Sequence, residues 1–311
     1  MRGSKVVGAG HYQPAKILTN HDLAAMVDTS DEWIRSRVGI RERRIAGPEE
    51  ALDVMAAEAA AAALRNAGVA AETVDLVVVA TCTAVDRSPN IAARVARRLG
   101  MPSPATVDVN TACSGFTHAL AMADGAVRLG SATNAVVIGV ERLSDFTDWT
   151  DRTTCVLVGD GAGAVVLTAG EEAEISPVVW GSYPEMGEAV VIEGDRKFTQ
   201  AGQTVYRWAT TTLPDIARRI CAAAGMTPDD LGGIVLHQAN LRIIEPVAQR
   251  IGATKAVVAR DVTESGNTSA ASIPLALSKL LERGELQSGA PVLLLGFGGG
   301  LSYAGQIIRC P

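Results

Sequence analysis

Aromatic residues are scarce, at 4% of 311 positions, and the chain has only four histidines and five cysteines. So few rings exclude the aromatic platforms on which single-stranded nucleic acids stack. The cysteines, at positions 82, 113, 155, 221 and 310, form no Cys-x-x-Cys pair. That spacing argues against a zinc site or a disulfide framework and suits a reducing, cytoplasmic setting. No apolar run reaches 18 residues, so no membrane span is expected. The opening Met1-Arg-Gly-Ser4, a candidate vector remnant, leads into a strand rather than a cleavable signal. Basic charge is also short: 28 Lys and Arg face 34 Asp and Glu, a formal net charge of −6. Bulk binding to nucleic acid or to an anionic membrane is therefore not expected, and an acidic partner must meet a local basic patch. What is plentiful is apolar and small: 48% hydrophobic residues and 31 glycines suit helices packed closely on a sheet.

The chain is organised around Asp108-Val-Asn-Thr-Ala-Cys-Ser-Gly-Phe116. Val107 to Val109 reads as a buried strand, and Phe116 to Leu129 has apolar residues at helical spacing. Cys113 thus falls at a helix N-terminus, where the dipole and free N–H groups favour a thiolate. A buried structural cysteine fits this stretch equally well.

A duplication helps to decide. A helix over Leu52 to Asn66, ending at Gly68, is followed by the strand Leu76–Ala80; a helix over Leu213 to Ala224, ending at Gly225, is followed by the strand Ile234–His237. Gly68 and Gly225 lie 157 positions apart, as do Gly139 and Gly296 after the strands Val136–Gly139 and Leu293–Gly296. Two segments with one order of elements at one offset imply an internal repeat. The expectation is an α/β fold of two halves, residues 1–170 and 171–311, with sheets sandwiched by helices. Ligands then gather at the carboxyl ends of the strands. That edge carries Cys113 in one half; in the other it carries His237 and the loop Ser265-Gly-Asn-Thr-Ser269. Asn267 reads either as an N-cap for a helix over Ile273 to Leu281 or as an oxyanion donor, and Gly296-Phe-Gly-Gly-Gly-Leu-Ser302 offers bare backbone N–H groups. Together they suggest a thiol nucleophile with an oxyanion hole. Gly159-Asp-Gly-Ala-Gly163 is read as a tight hairpin, since a strand and not a helix follows it.

These residues resemble the β-ketoacyl-acyl-carrier-protein synthase III family of the thiolase superfamily. The likeness rests on Asp31-Glu-Trp-Ile, Gly39-Ile-Arg-Glu-Arg-Arg, Ala112-Cys-Ser-Gly-Phe, Gly159-Asp-Gly-Ala-Gly-Ala, His237-Gln-Ala-Asn-Leu-Arg, Gly266-Asn-Thr-Ser-Ala-Ala-Ser and Gly296-Phe-Gly-Gly-Gly, in that order. The resemblance implies a thiolase-like duplicated αβαβα five-layer sandwich, a homodimer, and a ping-pong condensation of a starter acyl-CoA with malonyl carrier protein that begins fatty-acid or polyketide synthesis. No cofactor or metal is implied, and the partners are acyl-CoA and acyl carrier protein. Carried over by position, Cys113 is the acylated nucleophile, and His237 and Asn267 serve the decarboxylation. The N–H groups of Cys113 and Gly299 form the oxyanion hole. Trp33 and Arg152 sandwich the CoA adenine, with Arg37, Asn240 and Arg242 also on the CoA side, and Arg207, Arg242 and Arg250 face the carrier protein.

Three positions depart from the family pattern. Ser88 stands where some members close the acyl pocket with a Phe from the neighbouring subunit, which suggests room for a starter longer or more branched than acetyl. Val38 replaces a Thr beside the CoA arginine, and the segment from Ser182 to Gly202 is short. A degradative thiolase needs a second cysteine in the glycine loop, and Gly298-Gly-Gly300 has none; chalcone synthases are longer, with a proline there. The alternative that stays open is a non-condensing acyltransferase passing the acyl group to a hydroxyl, an amine or a carrier protein.

Overall fold

The computed structural model describes residues 2–193 and 197–311. Its first main sheet holds β1 (Gly3–Tyr12), β2 (Leu76–Ala80), β3 (Ala105–Val109), β4 (Asn134–Arg142) and β5 (Asp160–Gly170), in the order β1-β5-β4-β2-β3. The second holds β6 (Val179–Ser182), β7 (Gly233–Leu236), β8 (Val257–Val258), β9 (Pro291–Gly298) and β10 (Ser302–Arg309), in the order β8-β7-β9-β10-β6. In the first sheet β4, β2 and β3 run parallel while β5 pairs antiparallel with β1 and β4. In the second, β9, β7 and β8 run parallel while β10 pairs antiparallel with β9 and β6. Read from opposite edges, the two sheets have one topology.

The main helices are α1 (Asp31–Val38), α2 (Leu52–Ala67), α3 (Ile91–Arg98), α4 (Gly115–Leu129), α5 (Gly202–Ala223), α6 (Leu241–Ile251) and α7 (Ser272–Glu282). Side-chain alternation along the strands assigns them to layers. Val77 and Val79 of β2 face α2 and α3 through a core with Met55, Ala59 and Ile91, while Leu76, Val78 and Ala80 face a central core with Phe116 and Leu120 of α4 and Ile273 and Leu277 of α7. In β9, Val292 and Leu294 point to that same central core, and Leu293 and Leu295 point outward to Trp208 of α5 and Ile244 of α6. The stack is helices, sheet, helices, sheet, helices. Among the described residues no helix is long and apolar enough to cross a membrane.

Glycines set how closely the halves interlock. A Cβ on Gly296 would lie 2.9 Å from Ser114 Cα, and one on Gly139 would lie 2.2 Å from Ala270 O. Each half's central strand is thus bare where the turn leading into the other half's central helix rests on it. Cys113 sits in one of those turns.

Two local expectations need correction. The run from Gly159 to Gly163 is no hairpin: from Asp160 it is the start of an 11-residue strand paired on both sides. Its glycines serve packing, since a Cβ on Gly163 would meet Leu275 N of α7 at 2.3 Å. The helix expected from Leu213 starts at Gly202 and runs through Pro214. Proline at 214 deprives the Thr210 carbonyl of its helical donor, and the Arg250 guanidinium replaces it at 2.5 Å.

Candidate active site

Cys113 occupies a single 3-10 turn, Ala112–Ser114, between β3 and α4. Ala112 takes a left-handed φ of 47°, which turns the chain sharply enough to present the thiol. A cavity of about 580 Å³ opens over it, lined among others by Cys82, Leu143, Phe198, Asn267, Ser269 and Gly299. The sulfur interacts with the Ser269 side chain and with the backbone N–H groups of Gly299 and of Cys113 itself. These contacts favour the thiolate, but burial works against them and, with the nearby Glu141, pushes the thiol up to about 11. The bias towards thiolate expected at a helix start therefore does not hold for the resting protein, because desolvation outweighs it.

His237 follows β7 and is 2% exposed. Its Nδ1 lies 2.7 Å from Ser272 Oγ, and its ring meets Phe297 edge-on at 5.2 Å between centroids. Burial alone lowers its pKa to about 3, so the imidazole is neutral throughout the physiological range. Asn267 is held by its backbone: its N–H donates to Leu157 O at 2.8 Å and its carbonyl accepts from Gly159 at 3.0 Å. Its Oδ1 accepts from the Ser269 N–H at 2.9 Å. With the carbonyl oxygen so engaged, the amide nitrogen is left as the donor. The N-cap reading is not met, since α7 is entered from Ala271 without a side-chain cap, and Asn267 instead braces the turn ahead of it through the Ser269 N–H.

A second cavity, of about 680 Å³, is lined by Trp33, Arg37, Val38, Arg207, Asn240 and Arg242, and also by Asn267. Asn267 lines both cavities. Arg37, Arg207 and Arg242 are exposed at this second cavity, and Asn240 caps α6 by accepting the Arg242 N–H at 2.8 Å. Arg152 lies over the Trp33 ring at 5.1 Å and donates to Asp28 O at 2.8 Å. The two are in direct cation–π contact, so a base placed between them requires the pair to open. Arg250 is exposed and does not itself line this cavity; its guanidinium donates to the carbonyl of Thr210, which does. Ser88 is exposed and does not line the Cys113 cavity. The segment 182–202 borders both cavities through Pro184, Val190, Phe198 and Gln200, while its residues 194–196 lie outside those described.

Sequence reasoning passed over a polar cluster behind Cys113. Glu141, fully buried at the end of β4, accepts from Thr81 Oγ1 at 3.1 Å, Thr83 Oγ1 at 2.6 Å and both Cys82 N–H and Sγ, at 3.1 and 3.2 Å. Burial raises its pKa against these bonds and one with Ser269. Ser269 therefore touches both Glu141 and Cys113. A charge ending the apolar run Ala135–Val140 was the available signal.

Two repeated sheets around a pair of central helices, with a cysteine on the turn between them, define a thiolase-like acyltransferase. Residues 107–184 match the family model described as 3-oxoacyl-[acyl-carrier-protein] synthase III, and residues 221–310 match its C-terminal counterpart. The β-ketoacyl-[acyl-carrier-protein] synthase III 2 of Streptomyces avermitilis is 69% identical, with both chains covered in full. The β-ketoacyl-[acyl-carrier-protein] synthase III 4 of Streptomyces coelicolor is 68% identical over all of this chain and 99% of that one. Among solved structures, a priming β-ketosynthase from a polyketide biosynthetic pathway superposes with a TM-score of 0.97 at 39% identity, covering 100% of this chain and 97% of that chain. The chain belongs to the 3-oxoacyl-[acyl-carrier-protein] synthase III family.

Proposed function

We propose that the chain condenses a starter acyl group, taken from acyl-CoA, with malonyl carrier protein, using Cys113, His237 and Asn267 as catalytic residues. The observation that carries this reading is the position of Asn267, shared by the Cys113 cavity and by the arginine-lined one. A phosphopantetheine arm entering past Arg37, Arg207 and Arg242 reaches the thiol by way of that amide. The cytoplasm is the proposed site of action, residues 1–170 and 171–311 are the proposed halves, and a homodimer, with Ser88 near a neighbour's acyl pocket, is the proposed assembly. No dissociable cofactor enters the scheme.

In the first half-reaction Cys113 sulfur attacks the thioester carbon, and the Cys113 and Gly299 N–H groups hold the oxyanion. The CoA thiol leaves. In the second, the malonyl carbon–carboxylate bond breaks and carbon dioxide departs. Negative charge moves to the thioester oxygen, where neutral His237 and the Asn267 amide donate to it. The resulting carbanion equivalent attacks the acyl carbon, and the Cys113 sulfur is released. Trp33, Arg37, Arg152, Asn240 and Arg242 are assigned to CoA, and Arg207 and Arg242 to the acidic carrier protein; Arg250, being committed to Thr210, is the weakest member of that group.

Intact-protein mass measurement tests this with a panel of acyl-CoAs, followed by malonyl carrier protein. An adduct absent from Cys113→Ala and discharged as a β-ketoacyl product supports condensation. An adduct that passes uncondensed to another acceptor supports the simple acyltransferase, and no adduct with any acyl-CoA removes Cys113 as nucleophile.

A further inference from the structure

The duplication pairs His237 with Ala80 and Ser272 with Gly115, since both pairs lie 157 positions apart. In the N-terminal half the two positions also face one another: a Cβ on Gly115 would sit 3.1 Å from the Ala80 Cβ. The same contact between strand end and helix start is thus built twice, once from Ala and Gly and once from His and Ser. Only in the second does it carry hydrogen-bonding groups.

Ser272 is 1% exposed and opens α7. Its Oγ accepts the Gln238 backbone N–H at 3.2 Å and lies 2.7 Å from His237 Nδ1. A hydroxyl has one proton to give. Were Nδ1 protonated and donating, Oγ would accept twice and its own proton would be buried with no acceptor among the described residues, an arrangement that native interiors avoid. If the hydroxyl donates to Nδ1, the Ser272 hydroxyl and Nδ1 are both satisfied, and one buried group rather than two is left without a partner among the described residues. The ring proton is then on Nε2, the nitrogen for which the described residues supply no partner.

We infer that Ser272 is a positioning residue that fixes the tautomer of His237, holding Nε2 protonated as a hydrogen-bond donor to the thioester oxygen. This rests on the condensing role proposed above. A nitrogen that already carries a proton cannot take the one on Cys113, which in the net exchange ends on the departing CoA sulfur. His237 serves decarboxylation and is not the base for acylation. The neutrality of the ring, imposed by burial, agrees with this.

Nitrogen-15 labelling of histidine in the full-length protein tests it, because only four ring systems contribute and His237→Ala assigns the relevant one. At neutral pH the resting enzyme should show His237 Nδ1 unprotonated and Nε2 protonated; Ser272→Ala should give a mixture of tautomers. In kinetics, Ser272→Ala should acylate Cys113 within about threefold of the parent while malonyl decarboxylation falls about 10- to 100-fold, and Ser272→Thr, which keeps the hydroxyl, should recover most of the loss. A wild-type ring protonated on Nδ1 overturns the inference, as does equal loss in both half-reactions or no loss in either. The tautomer is read on resting protein without substrate, so it decides the matter even if Ser272→Ala does not fold. A wild type that forms no acyl adduct defeats the condensing role instead.

Discussion

Ala112 and Ser269, 157 positions apart, share a left-handed backbone, with φ of 47° and 46°. Each enters a single 3-10 turn, 112–114 and 269–271, from which a central helix starts. A left-handed conformation costs a non-glycine residue on the order of 1–3 kcal/mol, and the fold carries that strain at both turns. The two are used differently. The first presents the Cys113 thiol, and the second brings the Ser269 hydroxyl to that thiol and holds Asn267 through Ser269 N–H. A repeat that is symmetrical in backbone thus carries a thiol at one turn and a hydroxyl and an amide at the other.

The bare strand beneath the first turn is the most direct place to disturb it. A Cβ at position 298 would stand 2.6 Å from Cys113 Cβ and 2.8 Å from its sulfur. Gly298→Ala should therefore displace the nucleophile, and misplacement by about 1 Å costs about 10²-fold in rate. Acyl-Cys113 formation, followed by intact mass, should slow by that order while the far-ultraviolet circular dichroism spectrum is kept. Unimpaired acylation would mean that the thiol does not work from the position seen here.

Much of this arrangement was legible in the sequence because backbone symmetry leaves a trace in spacing. The offset of 157 sets β2 against β7 and β4 against β9, and it puts Cys113 opposite the Ser269 loop. What escaped depended on groups far apart in the chain. The helix reads as starting at Leu213 rather than Gly202 because Pro214 marks a break, and the Arg250 guanidinium that supplies the missing donor lies 36 positions beyond that proline, which periodicity cannot show. Glu141 was hidden for a similar reason: its partners Thr81, Thr83, Cys82 and Ser269 come from other segments, and a glutamate closing a strand looks solvated until they are assembled around it. The thiol's pKa was misjudged because burial is a property of the whole fold, whereas a helix start is visible locally.

Asn267 is placed to separate the two half-reactions. Its carbonyl end is used by Ser269, and only its amide nitrogen remains for a developing oxyanion. Removing one such donor costs about 3 kcal/mol, or 10²–10³-fold. Asn267→Ala should lose condensation by that factor and keep acylation of Cys113 close to the parent rate, as measured by stopped acyl transfer and by β-ketoacyl product. A parallel fall in both would assign the residue to folding of the turn.

Arg250 and Arg242 should part company. Arg250→Ala leaves the Thr210 carbonyl, already without its helical donor because of Pro214, lacking its guanidinium partner. A loss of about 1–2 kcal/mol in urea unfolding is expected, with little change in the carrier-protein KM. Arg242, exposed at the second cavity, should show the reverse, a KM that rises on Arg242→Ala and a salt dependence that weakens with it. Unaltered carrier-protein KM in Arg242→Ala would remove this face from the docking surface.

Burial of His237 also predicts a pH dependence of stability. Its folded pKa of about 3 lies below the unfolded value of roughly 6.5, so between those values the unfolded chain binds a proton that the folded one refuses. Stability is fully present above about pH 6.5 and falls as pH drops through the window, by up to about 1.4 kcal/mol per pH unit from this group. His11 and His118 are lowered in the same direction, also chiefly by burial. The difference in slope between wild type and His237→Gln, from urea melts at pH 7, 6 and 5, isolates the contribution. Equal slopes would place a charged imidazole in the folded site.

For Cys113 the sign is opposite in consequence for reactivity. With the thiol raised to about 11, the thiolate fraction keeps growing through the alkaline range. Alkylation of Cys113 by iodoacetamide should therefore climb about tenfold per pH unit from pH 7 to 9 with no plateau, counted by mass so that the other four cysteines, Cys82 of the same cavity included, are scored separately. Enzymatic acylation at pH 7 cannot then depend on a standing thiolate. Under the proposed mechanism the Cys113 sulfur is then deprotonated as it attacks the thioester carbon, its proton ending on the departing CoA sulfur while the Cys113 and Gly299 N–H groups hold the oxyanion. A plateau below pH 8 would show instead that the helix start prevails over burial and that the resting enzyme already holds a thiolate.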